Sequence, residues 1–135
     1  MIIDTSAVLA ILRAESEARS CAHAIERSAV RRISAGNFLE TAIVIDSSRD
    51  PISSRRLDDL LQAANIAVEP VTKDQAQIGR EAYKDFGKGS GHPAQLNFGD
   101  CFAYALAKVM GEPILFKGND FAHTDITPAI GRGAE

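Results

Sequence analysis

An α/β fold on a mostly parallel sheet is predicted by three observations. Short apolar runs, MII, IAVEPV and PILF, alternate with longer segments of helical periodicity. Turn-forming clusters such as RDPISS and GKGSGHPAQL punctuate them. The length of 135 residues suits one sizeable core and is too short for two typical domains, so a single domain over 1–135 is expected.

Met1 to Ile3 reads as the first strand, with Thr5 to Arg13 and Ser16 to Ser28 as helical stretches. Arg32 to Ser34 is a short second strand that leads into a helix from Ala35 to Ser47. Pro51 and its neighbouring serines mark a break, after which Ser53 or Ser54 is expected to cap a helix running to Ala64. Ile66 to Val71 is the third strand, and Thr72 with Gln75 has the spacing of a capping box on the next helix. GKGSGHPAQL, with three glycines and a proline in ten residues, is the longest loop. Asn97 to Met110 is a helix, Pro113 to Phe116 the fourth strand and Ile126 to Ile130 a fifth.

The composition, 45% apolar and 24% charged, is that of a globular protein and excludes a disordered chain. No stretch approaches the roughly 18 uninterrupted apolar residues of a membrane helix, and no charged leader precedes a hydrophobic segment, so a cytoplasmic location is expected. Cys21 and Cys101 form neither a metal spacing nor a disulfide framework and read as buried free thiols. The net charge of −3 argues against binding nucleic acid by bulk positive charge, although arginines cluster at 31–32 and 55–56.

The chemistry lies in four acids. In open α/β sheets, ligands bind beyond the carboxyl ends of the strands. Asp4 closes the first strand, and Asn119 and Asp120 follow the fourth in ILFKGND. Glu40 shares a helix face with Gly36, Ile43, Val44 and Ser47, and Asp100 shares one with Ala103, Tyr104 and Ala107, so both interrupt faces that should be core. Each acid alone has a bland explanation. Asp4 is a good helix cap, Asp100 complements a helix dipole, Glu40 needs only a small rotation to reach solvent, and Asp120 suits a turn.

Together they repel one another by about 4 kcal/mol per pair at 4 Å, for an effective dielectric near 20. Raised pKa values or a bound cation must offset that. An all-oxygen donor set suits Mg²⁺ or Mn²⁺ rather than zinc, and Mg²⁺ commonly shares its remaining positions with phosphate oxygens.

The segments MIIDTSAVLAIL, SAGNFLETAIVID, NFGDCFAYALAK and LFKGNDFAHTDI, in this order across nearly the whole chain, resemble the PIN-domain ribonucleases and, within them, the VapC toxins of bacterial toxin–antitoxin pairs. The resemblance implies a three-layer α/β/α fold, with a parallel sheet of four to five strands, and a Mg²⁺-dependent endoribonuclease. It implies metal ligation by Asp4 and Asp100, with Glu40 as the second acid and Asp120 as the fourth, although Asn119 is an alternative occupant of that last position. Ser6 corresponds to a hydroxyl residue that supports the first acid. RNA as substrate, a small antitoxin as partner and a homodimer are implied in the same way. Lys117, beside the acids in LFKGND, is the first candidate for contact with the RNA backbone.

Rival readings fit less well. A haloacid-dehalogenase phosphatase needs an acid where Ser6 stands, and a receiver domain needs an Asp after the third strand, which ends in Glu69-Pro70-Val71. A metal-free ribonuclease would need a histidine pair, and nothing in the sequence brings His23, His92 and His123 together. A non-catalytic RNA-binding or scaffold module on the same fold is the alternative from a different class, and a scaffold has no reason to keep the acids together.

Overall fold

A computed structural model of the chain describes residues 1–130. Its elements run β1 (Ile2–Ile3), α1 (Thr5–Leu12), α2 (Ala18–Arg27), β2 (Arg32–Ser34), α3 (Ala35–Asp46), α4 (Pro51–Ala63), β3 (Ala67–Glu69), α5 (Lys73–Phe86), α6 (Phe98–Met110) and β4 (Ile114–Leu115). The strands form one sheet in the order β3-β2-β1-β4, and every pairing is parallel.

Strand alternation divides the core into two layers. Ile3, Ile33 and Leu115 point to one face, where they meet Ala7 and Val8 of α1, Cys21 and Ile25 of α2, Ile45 of α3 and Leu57 of α4. Ile2 and Ile114 point to the other, against Ala82 of α5 and Ala103, Leu106 and Ala107 of α6. This is the expected three-layer α/β/α arrangement. The chain steps from β1 through β2 to β3 on one side, then returns to place β4 on the other side of β1. The order therefore reverses beside β1, and the crevice of such a fold lies at the ends of β1 and β4. There the Asp4 N–H donates to Leu115 O at 3.0 Å.

Local expectations differ from the structure in several places. Helix α4 begins three residues earlier than Ser54, because Asp50 caps it by accepting from the Ile52 N–H at 3.1 Å, and Pro51 occupies the first turn, where its missing N–H costs nothing. Thr72 does cap α5, accepting from the Gln75 N–H at 3.1 Å, but the reciprocal capping box forms instead at α6 between Asn97 and Asp100. The third strand is shortened to Ala67–Glu69 at the sheet edge, and Ala67 and Val68 are exposed.

The fifth strand is reduced to one parallel bridge between Ile114 and Pro128, and Pro128 lacks the N–H that a longer ladder would need. The long loop is pinched shut, with the Lys88 N–H on Leu96 O and the Leu96 N–H on Phe86 O, both at 2.8 Å. Both cysteines are free, Cys21 buried and Cys101 half-buried. No helix among the described residues is long and apolar enough to cross a membrane.

Candidate active site

Two buried aspartates define the site. Asp4 is 4% exposed and Asp100 7% exposed. Asp4 leaves the buried strand β1 and caps α1, its Oδ2 accepting from the Ser6 N–H at 3.0 Å and the Ser6 hydroxyl at 2.6 Å. Ser6 Oγ in turn accepts from the Lys117 N–H at 2.9 Å, which ties the segment after β4 to the end of β1. Asp100 sits in the first turn of α6, where its Oδ2 accepts from the Asn97 N–H at 3.0 Å. The capping roles are therefore real, and they coexist with a place in the acid cluster. In each carboxylate Oδ2 accepts these bonds.

The electrostatics set these two acids apart. Burial pushes Asp4 up to about 6, against the pull of the Ser6 hydroxyl and N–H, and the nearby charge of Glu40 adds to the rise. Burial likewise pushes Asp100 up to about 8; the Asn97 N–H opposes this, while Asp4 and Asp120 both repel its charge and Asp120 is close enough to share its proton. Asp4, Glu40, Asp100 and Asp120 are thus in electrostatic contact in pairs. Among the described residues none of the four takes part in an ion pair with a lysine or arginine.

Glu40 is half-buried, and its Oε1 accepts from the Thr5 hydroxyl at 2.6 Å. The face expected to carry it differs from the buried one. Asn37, Thr41 and Ile45 form the buried stripe of α3, whereas Ile43 is 60% exposed. Glu40 instead turns toward the start of α6, where a Cβ on Gly99 would meet its carboxylate. Gly36 has equally little room, since a Cβ there would meet the Phe102 ring. Two glycines therefore let α3 and α6 approach closely enough to bring Glu40 to the end of α6 that carries Asp100. Gly99→Ala is expected to push the flexible end of Glu40 away and lower activity with little change in stability, since alanine favours the helix. Thermal denaturation and an RNA-cleavage assay on the same preparation check both effects.

The segment after β4 carries Asp120 and Asn119, both exposed. Asp120 interacts with Asp100, whereas Asn119 lines a separate cleft of about 310 Å³ with Ser20, Cys21 and Pro128. Lys117 places its ammonium on Glu15 Oε1 at 2.7 Å, so its described contribution to the cluster is the backbone N–H on Ser6. Sequence reasoning missed Thr5, Asn37 and Gly99. Asn37 was readable in principle, because it precedes Glu40 by one helical turn.

Beside the acids lies an apolar surface. Phe98 is 78% exposed and packs edge-on against Phe102 with ring centroids 4.9 Å apart. Both line a groove of about 530 Å³ between α5 and α6, with Val71, Ala76 and Tyr83.

A hard cation fits this donor set. The donors are all carboxylate oxygens, two are buried, and burial and mutual repulsion raise both without a positive side chain to offset them. Among the described residues no three acid, histidine or cysteine side chains are grouped so that they could hold a metal ion together. Mg²⁺ typically keeps several waters and takes only one or two carboxylates, which the Asp4 and Asp100 pair can supply.

The PIN domain family profile matches residues 1–126. The chain belongs to the PIN-domain family. Within that family it is similar over nearly its whole length to proteins named VapC ribonucleases. Ribonuclease VapC28 of Mycobacterium tuberculosis is 57% identical over 132 residues, covering 98% of this chain and 99% of the relative. Ribonuclease VapC42 of the same species is 51% identical over 129 residues, covering 96% and 98%. Solved structures share the fold at much lower identity. VapC20 of Mycobacterium tuberculosis, described as a sarcin-ricin loop cleaving toxin, superposes with a TM-score of 0.70 at 16% identity, covering 94% of this chain and 98% of that one. A toxin–antitoxin complex from Klebsiella pneumoniae gives 0.68 at 17%, covering 92% of each.

Proposed function

We propose that this PIN-domain chain is a metal-dependent endoribonuclease, the toxin of a toxin–antitoxin pair, and that it hydrolyses RNA phosphodiester bonds at the cluster of Asp4, Glu40, Asp100 and Asp120. The observation that carries the reading is the pair of buried aspartates, each hydrogen-bonded to the fold and left without a cationic partner among the described residues. Groups so placed weaken a fold unless a ligand uses them. The family relationship adds the reaction class, since the similar proteins are named ribonucleases.

In this reading Asp4 and Asp100 are the residues that would hold Mg²⁺, or Mn²⁺ in its place. When bound, the ion supplies a lowered pKa for a water and neutralises charge on the phosphate and the leaving oxygen. Glu40, fixed by the Thr5 hydroxyl, orients the attacking water by accepting its hydrogen bond and takes its proton. Asp120, exposed at the rim, completes the negative cluster beside Asp100. Ser6 holds Asp4 in one rotamer through its hydroxyl and N–H. Lys117 reaches the RNA backbone only by exchanging its Glu15 partner for phosphate.

A small antitoxin controls the activity in this reading, and the chain self-associates. Leu39 and Ile43 on α3 and Phe98 on α6 are exposed apolar side chains that a protein partner would cover.

The test compares wild type with Asp4→Asn on mixed single-stranded and structured RNA, in Mg²⁺ and in EDTA. Cleavage is expected from wild type in Mg²⁺ alone, with a loss of at least about a hundredfold in the variant, since even disturbing a residue behind a metal ligand costs 10–100-fold. Cleavage in EDTA, or full activity in Asp4→Asn, would contradict the mechanism.

A further inference from the structure

Asn37 is fully buried in the first turn of α3, one turn before Glu40. Its amide joins three segments that are distant in sequence. Nδ2 donates to Gly99 O at 2.9 Å, across 62 residues, and to Thr5 Oγ1 at 3.2 Å, across 32 residues. Thr5 follows Asp4 and Gly99 precedes Asp100, so one side chain is bonded to the neighbours of both buried aspartates. The same helix carries the third acid.

The polarity of this network is fixed by its ends. A backbone carbonyl only accepts, so Gly99 O dictates which end of the amide faces it. The second N–H of the amide then points to Thr5 Oγ1, and the threonine hydroxyl gives its own hydrogen to a different acceptor. The candidates are Glu40 Oε1 at 2.6 Å and Asn37 O at 3.3 Å, and the shorter contact is to the charged oxygen. Asn37 O is in any case supplied by the Thr41 hydroxyl at 2.7 Å. Hydrogen bonds thus run in one direction, from the Asn37 amide through the Thr5 hydroxyl to the Glu40 carboxylate.

Asn37 carries a penalty that an ordinary core residue would avoid. Its Oδ1 is the one buried side-chain polar atom among the described residues with no hydrogen-bond partner. A helix–helix clamp alone would not require an amide here, because an apolar side chain could pack the same junction without an orphaned acceptor.

We propose that Asn37 is a positioning residue, which acts through Thr5 and Gly99 to set the placement of Glu40 relative to Asp4 and Asp100. The proposal rests on the reading of these acids as a cation-assisted hydrolytic site. Asn37 touches neither substrate nor ion. It fixes the spacing between the three helices that carry the acids.

The experiment uses the full chain with Asn37→Ala, Thr5→Val, Thr5→Ser and the double variant of Asn37→Ala with Thr5→Val. Mn²⁺ affinity is measured by calorimetry without RNA, and single-turnover cleavage is measured at saturating Mg²⁺. Asn37→Ala and Thr5→Val are each expected to weaken Mn²⁺ binding about 10–100-fold and to lower kcat with KM little changed. Thr5→Ser, which keeps the hydroxyl, is expected to restore both, and the double variant to be no worse than the poorer single one, since the two residues act in one chain. Wild-type affinity and kcat in folded Thr5→Val would overturn the proposal, as would fully additive losses in the double variant. Should wild type itself take up no Mn²⁺, the cation reading fails on that arm alone, and the kcat values still decide the role of Asn37.

Discussion

Asp100→Asn is expected to abolish RNA cleavage while stabilising the metal-free protein. The loss of activity should be at least about a hundredfold, because a ligand carboxylate matters no less than the groups that support it. The gain in stability follows from burial. Asp100 is held up at about 8 because its charge is desolvated and faces Asp4 and Asp120. An amide of the same shape removes that charge, and its oxygen can still accept from the Asn97 N–H, which preserves the cap of α6. Near pH 8 in EDTA the variant should be more stable than wild type. Denaturant melts beside a cleavage assay read both effects. A variant that loses activity and stability together would show that Asp100 serves the fold rather than the reaction.

The metal-free wild type should lose stability as pH rises from about 4 to about 8, the opposite of an ordinary salt-bridged protein. Asp4 and Asp100 both bind a proton more tightly folded than unfolded, since their values rise from 3.8 to about 6 and about 8. Wherever the native state holds more protons than the unfolded chain, stability falls with pH. Their contribution is complete below the ordinary aspartate value, and it is lost as pH passes first through about 6 and then through about 8. The rise at Asp4 alone corresponds to about 3 kcal/mol. Urea melts in EDTA between pH 4 and pH 9 measure the slope directly. A flat profile across this range would show that the two carboxylates are solvated and charged in the folded state.

The parts of the site legible in the sequence are those that a single segment encodes. Asp4 at the end of MII and Asp100 in NFGD announce themselves because an acid interrupts a short strand or an apolar helix face, and both are buried as that pattern implies. Glu40 shows where such reasoning ends. Its sequence neighbours predict a core face, yet Ile43 on that face is exposed, because α3 buries Asn37, Thr41 and Ile45 instead and turns Glu40 to α6. A helix covered by two different elements has no single stripe for the sequence to display.

Long-range pairings were equally hidden. Lys117 is a candidate for RNA contact by its place in LFKGND, but its ammonium pairs with Glu15, 102 residues away. Asn37 and Gly99 acquire their roles only once α3 and α6 are packed together. The start of α4 failed for a local reason, since Pro51 was read as a break although proline favours the first turn of a helix. The four-stranded sheet and its two helical layers, by contrast, follow from the alternation of short apolar runs with amphipathic helices, and only the fifth strand shrank to a bridge.

The central claim is that Asp4 and Asp100 form a cation site, and thermal melting with and without Mn²⁺ tests it most directly. A ligand at a hundredfold excess over its Kd stabilises the folded state by about 2.7 kcal/mol, or roughly 10 °C in Tm for a domain of this size. Mn²⁺ is expected to raise the Tm of wild type, by more at pH 8 than at pH 5, where the protons on Asp4 and Asp100 compete with the ion, and to leave Asp100→Asn unchanged. A wild-type Tm that ignores Mn²⁺ at pH 8, or one that rises equally in Asp100→Asn, would contradict the account.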